Sequence, residues 1–407
     1  MSDYIPLQPA TIAARTGVDC DSQHGAVIPP ISLSSTYAFN GFDQPRAHDY
    51  TRSGNPTRDH LARALADLEQ GHDAVVTASG MGAIHAVLQL IEPGQRLLAP
   101  SDCYGGTFRL FEALAGRGAF ELKWTDFQDQ TCWQRDIQQA DWVWLETPSN
   151  PLLRITDIQA VCERAQQASA RVVVDNTFLS PALQQPLTLG ADLVVHSTTK
   201  YINGHSDVVG GAVIAKSPAL SEQLAWWANC IGVTGSPFDA WLTLRGLRTL
   251  NARLSAQQAT TRAVVDLLRS HAAVDRVYYP GLTTHPGHRI ASQQQSGFGA
   301  MVSFELHGGE LAVRSLVKSL KLFTLAESLG GVESLIAHPS TMTHATMSPE
   351  DRYRAGLSDG LLRLSIGLEA EQDLLADLDA GLARARRGLN DHTPSSEILE
   401  GRRHVAV

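Results

Sequence analysis

Short apolar runs alternate with helical periodicity over residues 61–255, and this alternation limits the possible folds more than any other feature. The runs are the length of a strand that is buried on both faces. The helical segments carry apolar residues three and four positions apart, as at Leu61, Leu65 and Leu68. Strands and helices in this order form a mostly parallel sheet with helices on both sides. The sequence therefore predicts an α/β protein whose large domain has three layers.

The remaining residues divide the chain further. Residues 1–60 show no sustained periodicity, so they form either a loose terminus or an arm that docks on another subunit. Residues 256–388 again alternate strand-like and helical runs, which predicts a smaller C-terminal α/β domain. We expect the domain boundary inside a long helix near residues 250–260. The polar segment 389–407 is expected to be a disordered tail.

Polar side chains follow the ends of several predicted strands. In a parallel sheet these ends lie at one edge, and ligands of such sheets bind outside that edge. The side chains comprise hydroxyls, an aromatic ring, an amide, a carboxylate and an amine, and they belong to Ser79, Tyr104, Asn150, Asp175, Ser197 and Lys200. Their compatible chemistry predicts a single ligand site at this edge.

Lys200 lies just beyond one apolar strand, after Ser197, Thr198 and Thr199. Burial at such a position lowers the pKa of a lysine and frees its amine to attack a carbonyl. The adjacent hydroxyls can bind phosphate oxygens. An amine beside phosphate donors indicates a phosphorylated aldehyde that is held covalently, namely pyridoxal phosphate (PLP). A surface lysine in a polar turn is the alternative that this stretch leaves open.

Three other residues fit parts of such a ligand. Asp175 follows an apolar strand, where a carboxylate is costly unless it has a partner, such as a cationic ring nitrogen, or caps the next turn. Tyr104 could stack on a flat ring, although a tyrosine in the core or at its rim is equally compatible with the sequence. Arg363, inside an apolar strand, could bind a carboxylate bidentately or form an internal salt bridge.

The turn at residues 78–82 joins a strand to a helix, a geometry that points backbone N–H groups at an anion. An ordinary turn is the alternative. The turn matches neither the G-x-G-x-x-G pattern nor the Walker A pattern, which disfavours dinucleotide and ATP binding.

Composition excludes several classes of function. A formal net charge of −9 disfavours binding to nucleic acid or to an anionic membrane. The five cysteines are widely spaced and predict neither a disulfide framework nor a zinc site, which fits a reducing compartment. We expect no signal peptide, and no apolar run is long enough to span a bilayer, so we expect a cytoplasmic protein. The histidines lack metal-binding spacing, so no catalytic metal is expected.

These motifs resemble those of the Cys/Met-metabolism family of PLP enzymes, which have fold type I, and the resemblance runs from Ala10 to about Arg387. The segments that carry it are Tyr50–Arg52, Gly54–Thr57, Ser79–Met81, Asp102–Gly106, Pro148–Pro151, Val174–Thr177, His196–Tyr201 and Glu327–Gly331. The resemblance implies a homotetramer built from dimers that share active sites. It also implies γ-replacement, in which O-succinyl-L-homoserine and L-cysteine give L-cystathionine and succinate. A γ-lyase, a β-lyase or an O-acyl-homoserine sulfhydrylase on the same scaffold is the close alternative, and a non-catalytic PLP-binding protein is a remote one.

The resemblance also implies a role for each matched residue. Lys200 would hold PLP covalently and act as the catalytic base, Asp175 would pair with the pyridine nitrogen, and Tyr104 would stack on the ring. The residues that would bind the phosphate are Gly80, Met81, Ser197 and Thr199 of one subunit and Tyr50 and Arg52 of its neighbour. Residues 1–60 would then be an arm that contacts the neighbouring subunit.

Substrate-binding roles follow from the same resemblance. Ser328 and Arg363 would hold the substrate α-carboxylate, and Asn150 would touch the edge of the cofactor or substrate. Glu327 is a candidate for recognising the amino group of the incoming cysteine or for steering β- against γ-chemistry. Close relatives carry an arginine where this chain has Ser53, which leaves Arg109 as the candidate for the acyl group. The preference for a succinyl, acetyl or phospho donor therefore stays open.

Overall fold

The computed structural model describes residues 7–343, 350, 352 and 355–390. The strands are β1 Asp73–Thr77, β2 Arg96–Pro100, β3 Glu121–Thr125, β4 Trp142–Glu146, β5 Arg171–Asp175, β6 Leu193–His196, β7 Gly211–Ala215, β8 Val274–Tyr278, β9 Met301–Leu306, β10 Thr324–Leu325, β11 Leu335–Ala337 and β12 Leu361–Ser365. The helices are α1 Pro9–Arg15, α2 Pro56–Glu69, α3 Gly80–Leu88, α4 Gly105–Ala115, α5 Gln130–Asp136, α6 Ile158–Gln167, α7 Ser180–Leu183, α8 Pro218–Ile231, α9 Pro237–Leu247, α10 Leu250–Ser270, α11 His288–Gln294, α12 Gly309–Ser319 and α13 Glu371–Asn390.

The larger sheet has the strand order β1-β7-β6-β5-β4-β2-β3. Neighbouring strands from β6 to β3 are parallel, whereas β7 is antiparallel to both β6 and β1. The central strands consist mainly of valine, leucine and tryptophan that are buried on both faces, as expected for a sheet covered by helices. The predicted α/β class with a mostly parallel large sheet is confirmed. The reversed β7 between β6 and β1 was not predicted.

Apolar side chains fill both faces of this sheet. Val172 and Val174 of β5 face one buried cluster, to which α2 contributes Leu61 and Leu65. Val173 of the same strand faces the opposite cluster, to which α3 and α8 contribute. Alternation along one strand thus supplies both cores. The packing fixes the strands from both sides and leaves the residues after their carboxyl ends free to build a site.

A second sheet follows in the sequence, with the order β10-β11-β12-β9-β8. Helix α10 packs on β8 and β9 and also on α13, and α12 packs on α13. The predicted boundary near residues 250–260 falls in the first half of α10. The division of the chain into these domains stays a prediction. Of the tail predicted for 389–407, residues 391–407 lie outside the described residues.

The segment 1–60 contains one feature that the sequence did not reveal. The short helix α1 begins at Pro9, and its buried residue is Ala13. A single small buried side chain leaves no apolar stripe, so periodicity could not detect this helix. Between Thr16 and Asn55 the described chain contains no helix or strand longer than an isolated bridge. The absence of sustained periodicity therefore correctly indicated that most of this segment has no regular secondary structure.

The described residues contain neither a membrane-spanning helix nor a metal-binding cluster. No helix there is both long enough and apolar enough to cross a membrane. No group of histidine, cysteine, aspartate or glutamate side chains in the same residues is arranged to hold a metal ion.

Candidate active site

A cavity of about 450 Å³ lies at the carboxyl ends of the parallel strands of the large sheet. The second sheet closes its other side through β12 and the segment that follows β10. The predicted site residues that line it are Gly80, Met81, Tyr104, Arg109, Asn150, Asp175, Ser197, Thr199, Lys200, Glu327, Ser328 and Arg363. Tyr50 and Arg52 lie elsewhere on the same chain.

Lys200 extends into this cavity from the turn after β6, which rules out the alternative of a surface lysine. Its Nζ donates a hydrogen bond to Ser328 Oγ at 2.7 Å. Burial lowers the pKa of Lys200 to about 8; the positive charge of Arg363 acts in the same direction, and the carboxylate of Glu327 opposes it. An amine with this pKa has a substantial neutral fraction near neutral pH. It can therefore act as a nucleophile and as a base.

The start of α3 and the turn after β6 meet at one end of the cavity. Ser79 caps α3, and the positive end of that helix points toward the turn. Gly80 lies so close to Ser197 that a Cβ added at Gly80 would be 2.8 Å from the Ser197 Cβ. The hydroxyl of Thr199 accepts a hydrogen bond from the Gly210 N–H at 3.0 Å. Backbone N–H groups, hydroxyls and a helix end in one place form a site that can bind an anion.

Asp175 stands at the end of β5 with its two carboxylate oxygens in different environments. Oδ1 accepts hydrogen bonds from the Thr177 N–H at 3.0 Å and from the Thr177 hydroxyl at 2.6 Å. Oδ2 accepts none from the described residues and is available to the cavity that Asp175 lines. The carboxylate therefore caps its turn, and it still has an oxygen available to a cation, so pairing with a ring nitrogen stays a prediction. Burial raises the pKa of Asp175, and the two hydrogen bonds from Thr177 oppose that rise.

Glu146 is a second buried carboxyl that the sequence analysis did not assign. It ends β4 directly beside Asp175, in register with it, and it lines the same cavity. Its Oε2 accepts a hydrogen bond from the backbone N–H of Tyr104 at 2.8 Å. Burial and the neighbouring Asp175 raise the pKa of Glu146 well above its ordinary value. An acidic residue at the end of an apolar strand is the signal that identified Asp175, and it was equally present for Glu146.

The Tyr104 ring is at the surface of the cavity and not in the core. Its side chain is 42% exposed, and the residue stands at the start of α4. The hydrogen bond from its backbone to Glu146 fixes the loop that carries it. This arrangement leaves the flat face of the phenol ring available for stacking on a flat ligand.

Arg363 lies in β12 and is 3% exposed. Its Nη1 donates to Asn150 Oδ1 at 2.7 Å and its Nη2 donates to the carbonyl oxygen of Ser328 at 2.8 Å. No aspartate or glutamate within the described ranges forms an ion pair with it, so the internal salt bridge that the sequence left open is absent there. Burial lowers the pKa of Arg363 to about 10. A buried guanidinium without a carboxylate at the wall of a cavity favours binding of an anionic ligand there.

Tyr50 and Arg52 lie on the segment before α2, away from the cavity of their own chain. Tyr50 is 49% exposed, and the guanidinium of Arg52 lies over its ring, 5.6 Å from the centroid. Arg52 Nη1 also donates to the carbonyl oxygen of Asn229 at 3.4 Å. Ser53, beside them, hydrogen-bonds to Asp49 Oδ1 at 2.8 Å. Within one chain, these residues cannot contribute to the cavity.

Comparison with known proteins decides the family. A family model described as Cys/Met metabolism PLP-dependent enzyme matches residues 10–383. The chain belongs to this family. It is 56% identical to cystathionine gamma-synthase of Escherichia coli K12 over 381 residues, which cover 93% of this chain and 99% of that protein. It is 45% identical to cystathionine beta-lyase of Lactococcus lactis subsp. cremoris MG1363, with coverage of 90% and 97%. The crystal structure of cystathionine gamma synthase from Xanthomonas oryzae pv. oryzae in complex with cystathionine matches with a TM-score of 0.93 and 61% identity, over 94% of this chain and all of that one.

The members of this family depend on PLP, and the cavity residues fit that cofactor. The amine of Lys200 has the lowered pKa that attack on an aldehyde requires. The free oxygen of Asp175 can pair with a protonated pyridine nitrogen, while the anion site at Gly80, Ser197 and Thr199 can take a phosphate. The enzyme is therefore PLP-dependent, and the resemblance seen in the sequence is confirmed.

Proposed function

We propose that the enzyme catalyses γ-replacement, in which O-succinyl-L-homoserine and L-cysteine give L-cystathionine and succinate. The 56% identity with the cystathionine gamma-synthase of Escherichia coli supports this reaction. The structural match to a second cystathionine gamma-synthase, solved in complex with cystathionine, supports it as well. The structural observation that carries it is Arg363, whose buried guanidinium faces the cavity near Lys200 without an acidic partner in the described chain. Such a group can bind the α-carboxylate of an amino acid and would thereby place the rest of the substrate beside the Lys200 amine.

The cofactor residues would have the following roles. PLP supplies an electron sink that stabilises the negative charge left on the substrate when a proton is removed from Cα. Asp175 would keep the pyridine nitrogen protonated, and Tyr104 would cover one face of the ring. The phosphate would be held by Gly80, Met81, Ser197 and Thr199, all of which line the cavity. Lys200 would hold the cofactor covalently until the substrate amine takes its place.

Lys200 would also move the protons of the reaction. Once released, its neutral amine would take the proton from the substrate Cα, since a pKa near 8 makes it a competent base close to neutral pH. The hydrogen bond from Nζ to Ser328 Oγ would keep the amine beside the α-carboxylate site. Arg363 and Ser328 would bind that carboxylate, with Asn150 at the cofactor or substrate edge holding the guanidinium in place.

Two cavity residues would recognise the remaining groups of the substrates. Arg109, on α4, would bind the distal carboxylate of the succinyl group. Glu327 would recognise the amino group of the incoming cysteine, or steer the reaction between β- and γ-chemistry. The residue at position 53 supports this role for Arg109. Close relatives have an arginine there, whereas Ser53 is hydrogen-bonded to Asp49 and offers no positive charge to an acyl group.

The proposed assembly is a homotetramer of dimers with shared active sites. Residues 1–60 would form the arm that brings Tyr50 and Arg52 to the phosphate of the neighbouring subunit. The exposure of large apolar side chains supports an interface on this segment, since Leu33 is 69% exposed and Phe42 is fully exposed. We also propose a cytoplasmic location, which the five free cysteines support.

The proposed reaction is tested by identifying products. The purified enzyme is incubated with O-succinyl-L-homoserine, with and without L-cysteine, and in parallel with cystathionine alone. Cystathionine and succinate formed in the presence of cysteine would support the γ-synthase. Cleavage of cystathionine without reaction of O-succinyl-L-homoserine would instead favour the lyase alternative. We keep that alternative because the chain is also 45% identical to a cystathionine beta-lyase. Repeating the assay with O-acetyl-L-homoserine and O-phospho-L-homoserine determines the acyl preference.

A further inference from the structure

The hydroxyl of Thr177 connects the two ends of the proposed cofactor site. Thr177 Oγ1 donates a hydrogen bond to Asp175 Oδ1 at 2.6 Å. The same oxygen accepts a hydrogen bond from the backbone N–H of Ser197 at 2.9 Å. Asp175 lies where the pyridine nitrogen is proposed to bind, whereas Ser197 begins the turn proposed to bind the phosphate. One side-chain oxygen therefore joins a residue after β5 to a residue after β6.

The direction of both hydrogen bonds is fixed by chemistry. A backbone N–H can only donate, and an ionised carboxylate can only accept. The single proton of the Thr177 hydroxyl must then point at Asp175, and a lone pair must face Ser197. An ionised Asp175 is therefore compatible with both hydrogen bonds of the Thr177 hydroxyl. Removing the hydroxyl eliminates both of them together.

The surroundings of Asp175 make this support necessary. Asp175 is half-buried beside Glu146, a second acid, and this burial raises the pKa of Asp175. Two hydrogen bonds from Thr177 favour the charged form, and His196, the last residue of β6, acts in the same direction. Both Thr177 bonds go to Oδ1, so they also orient the carboxylate with Oδ2 unbonded by the described residues.

We propose that Thr177 is a positioning residue that ties the Asp175 carboxylate to the Ser197 turn and thereby fixes the spacing between the pyridine and phosphate ends of the site. PLP is rigid between its ring nitrogen and the carbon that carries the phosphate ester, so both ends bind well only if this spacing is held. The inference rests on the cofactor placement proposed above. Thr177 itself touches neither the reacting atoms nor the substrate in this scheme.

The test uses substitutions that separate the hydroxyl from the shape of the side chain. Thr177→Val keeps the shape and removes the two hydrogen bonds of the hydroxyl, while the backbone N–H bond to Asp175 remains. Thr177→Ala removes the hydroxyl with less bulk, and Thr177→Ser keeps the hydroxyl. Thr125→Val is the matched control. The Thr125 hydroxyl makes the same kind of bond, to Asp136 Oδ2 at 3.0 Å, at the end of β3 and outside the cavity.

Each variant is stripped of cofactor, checked for folding by circular dichroism, and titrated with PLP to measure Kd. We expect Thr177→Val and Thr177→Ala to bind PLP about tenfold or more weakly, because the hydroxyl's hydrogen bond to the Asp175 charge and its link to the Ser197 turn are both lost. Thr177→Ser should stay within about threefold of the wild type, and Thr125→Val should match it. At saturating PLP, KM for the amino-acid substrate should change little in all variants, since Arg363 binds its carboxylate.

Several results would overturn the inference. Wild-type affinity in Thr177→Val and Thr177→Ala would show that the hydroxyl does not matter, and an equal loss in Thr177→Ser would assign the effect to packing. Unfolding of both hydroxyl-free variants, with Thr125→Val folded, would show that the bond holds the fold and not the site. Failure of the proposed reaction looks different, because the wild-type enzyme would bind PLP yet form no cystathionine.

Discussion

The amine of Lys200 should capture an aldehyde at neutral pH far faster than an ordinary lysine. Its pKa is lowered from 10.5 to about 8. At a pH of about 7, the neutral fraction of the amine then rises from roughly 0.03% to roughly 9%, an increase of about 300-fold. Only the neutral amine attacks a carbonyl, so the rate of PLP uptake by cofactor-stripped enzyme should rise with pH and level off above about 8.

Two substitutions should move this profile in opposite directions. The charge of Arg363 lowers the pKa of Lys200, so Arg363→Gln should shift the midpoint of the uptake profile to higher pH. The charge of Glu327 raises that pKa, so Glu327→Gln should shift the midpoint to lower pH. Lys216 is exposed and lies outside the cavity, which makes Lys216→Ala the control that leaves the midpoint unchanged. Lys200→Ala should abolish covalent uptake and turnover.

The assay is stopped-flow absorbance of the covalently bound cofactor, recorded from about pH 6 to about pH 11.5, so that an ordinary lysine midpoint would fall inside the range. A wild-type midpoint close to the ordinary lysine value of 10.5 would refute the reasoning, because burial would then have no effect on this amine. Movement of both variants in the same direction would also refute it. Such a result would mean that the local charges act through a change in structure and not through the Lys200 amine.

Three further predictions concern other parts of the site. Gly80→Ala should weaken PLP binding by about tenfold or more, because the added Cβ would be 2.8 Å from the Ser197 Cβ; a calorimetric titration showing wild-type affinity would contradict this. Arg363→Lys keeps the charge but loses the planar fork, so KM for the amino-acid substrate should rise about tenfold with PLP affinity unchanged, and a KM equal to the wild type would exclude carboxylate binding there. Arg52→Ala and Lys200→Ala should each be inactive, yet refolding them together should restore about a quarter of the wild-type activity if neighbouring subunits share sites, whereas no recovery would argue against sharing.

Local sequence patterns were sufficient to locate most of the cavity wall. Asp175 and Lys200 follow apolar strands, and parallel strands end at a common edge, so their proximity followed from topology. The chemistry of each side chain then restricted the ligand. Arg363 was recognisable because a charged residue inside an apolar strand needs a compensating partner.

Features that depend on the order of strands in space could not be predicted in this way. The sequence gives no indication that β7 lies between β6 and β1, because adjacency in a sheet is not encoded by periodicity. Thr177 shows its function only through contact with Ser197, a residue of the next strand connection. The bond from Tyr104 to Glu146 likewise joins the connections after β2 and β4. These contacts form only when the strands are packed side by side, so they cannot be predicted from the sequence of any one segment.

The reversed direction of β7 has a consequence for how sequence variation in this enzyme should be interpreted. β7 begins at the edge where β1 and β6 end, so its first residues lie among the groups that surround the cavity. A side chain at Gly211 would overlap the backbone oxygen of Ser79, and one at Gly210 would reach within 2.5 Å of Thr198 Oγ1. A saturation mutagenesis screen scored by growth should therefore rank both glycines with Lys200 in intolerance to change. Their intolerance would reflect the space that their neighbours occupy, although neither has a side chain that could take part in chemistry.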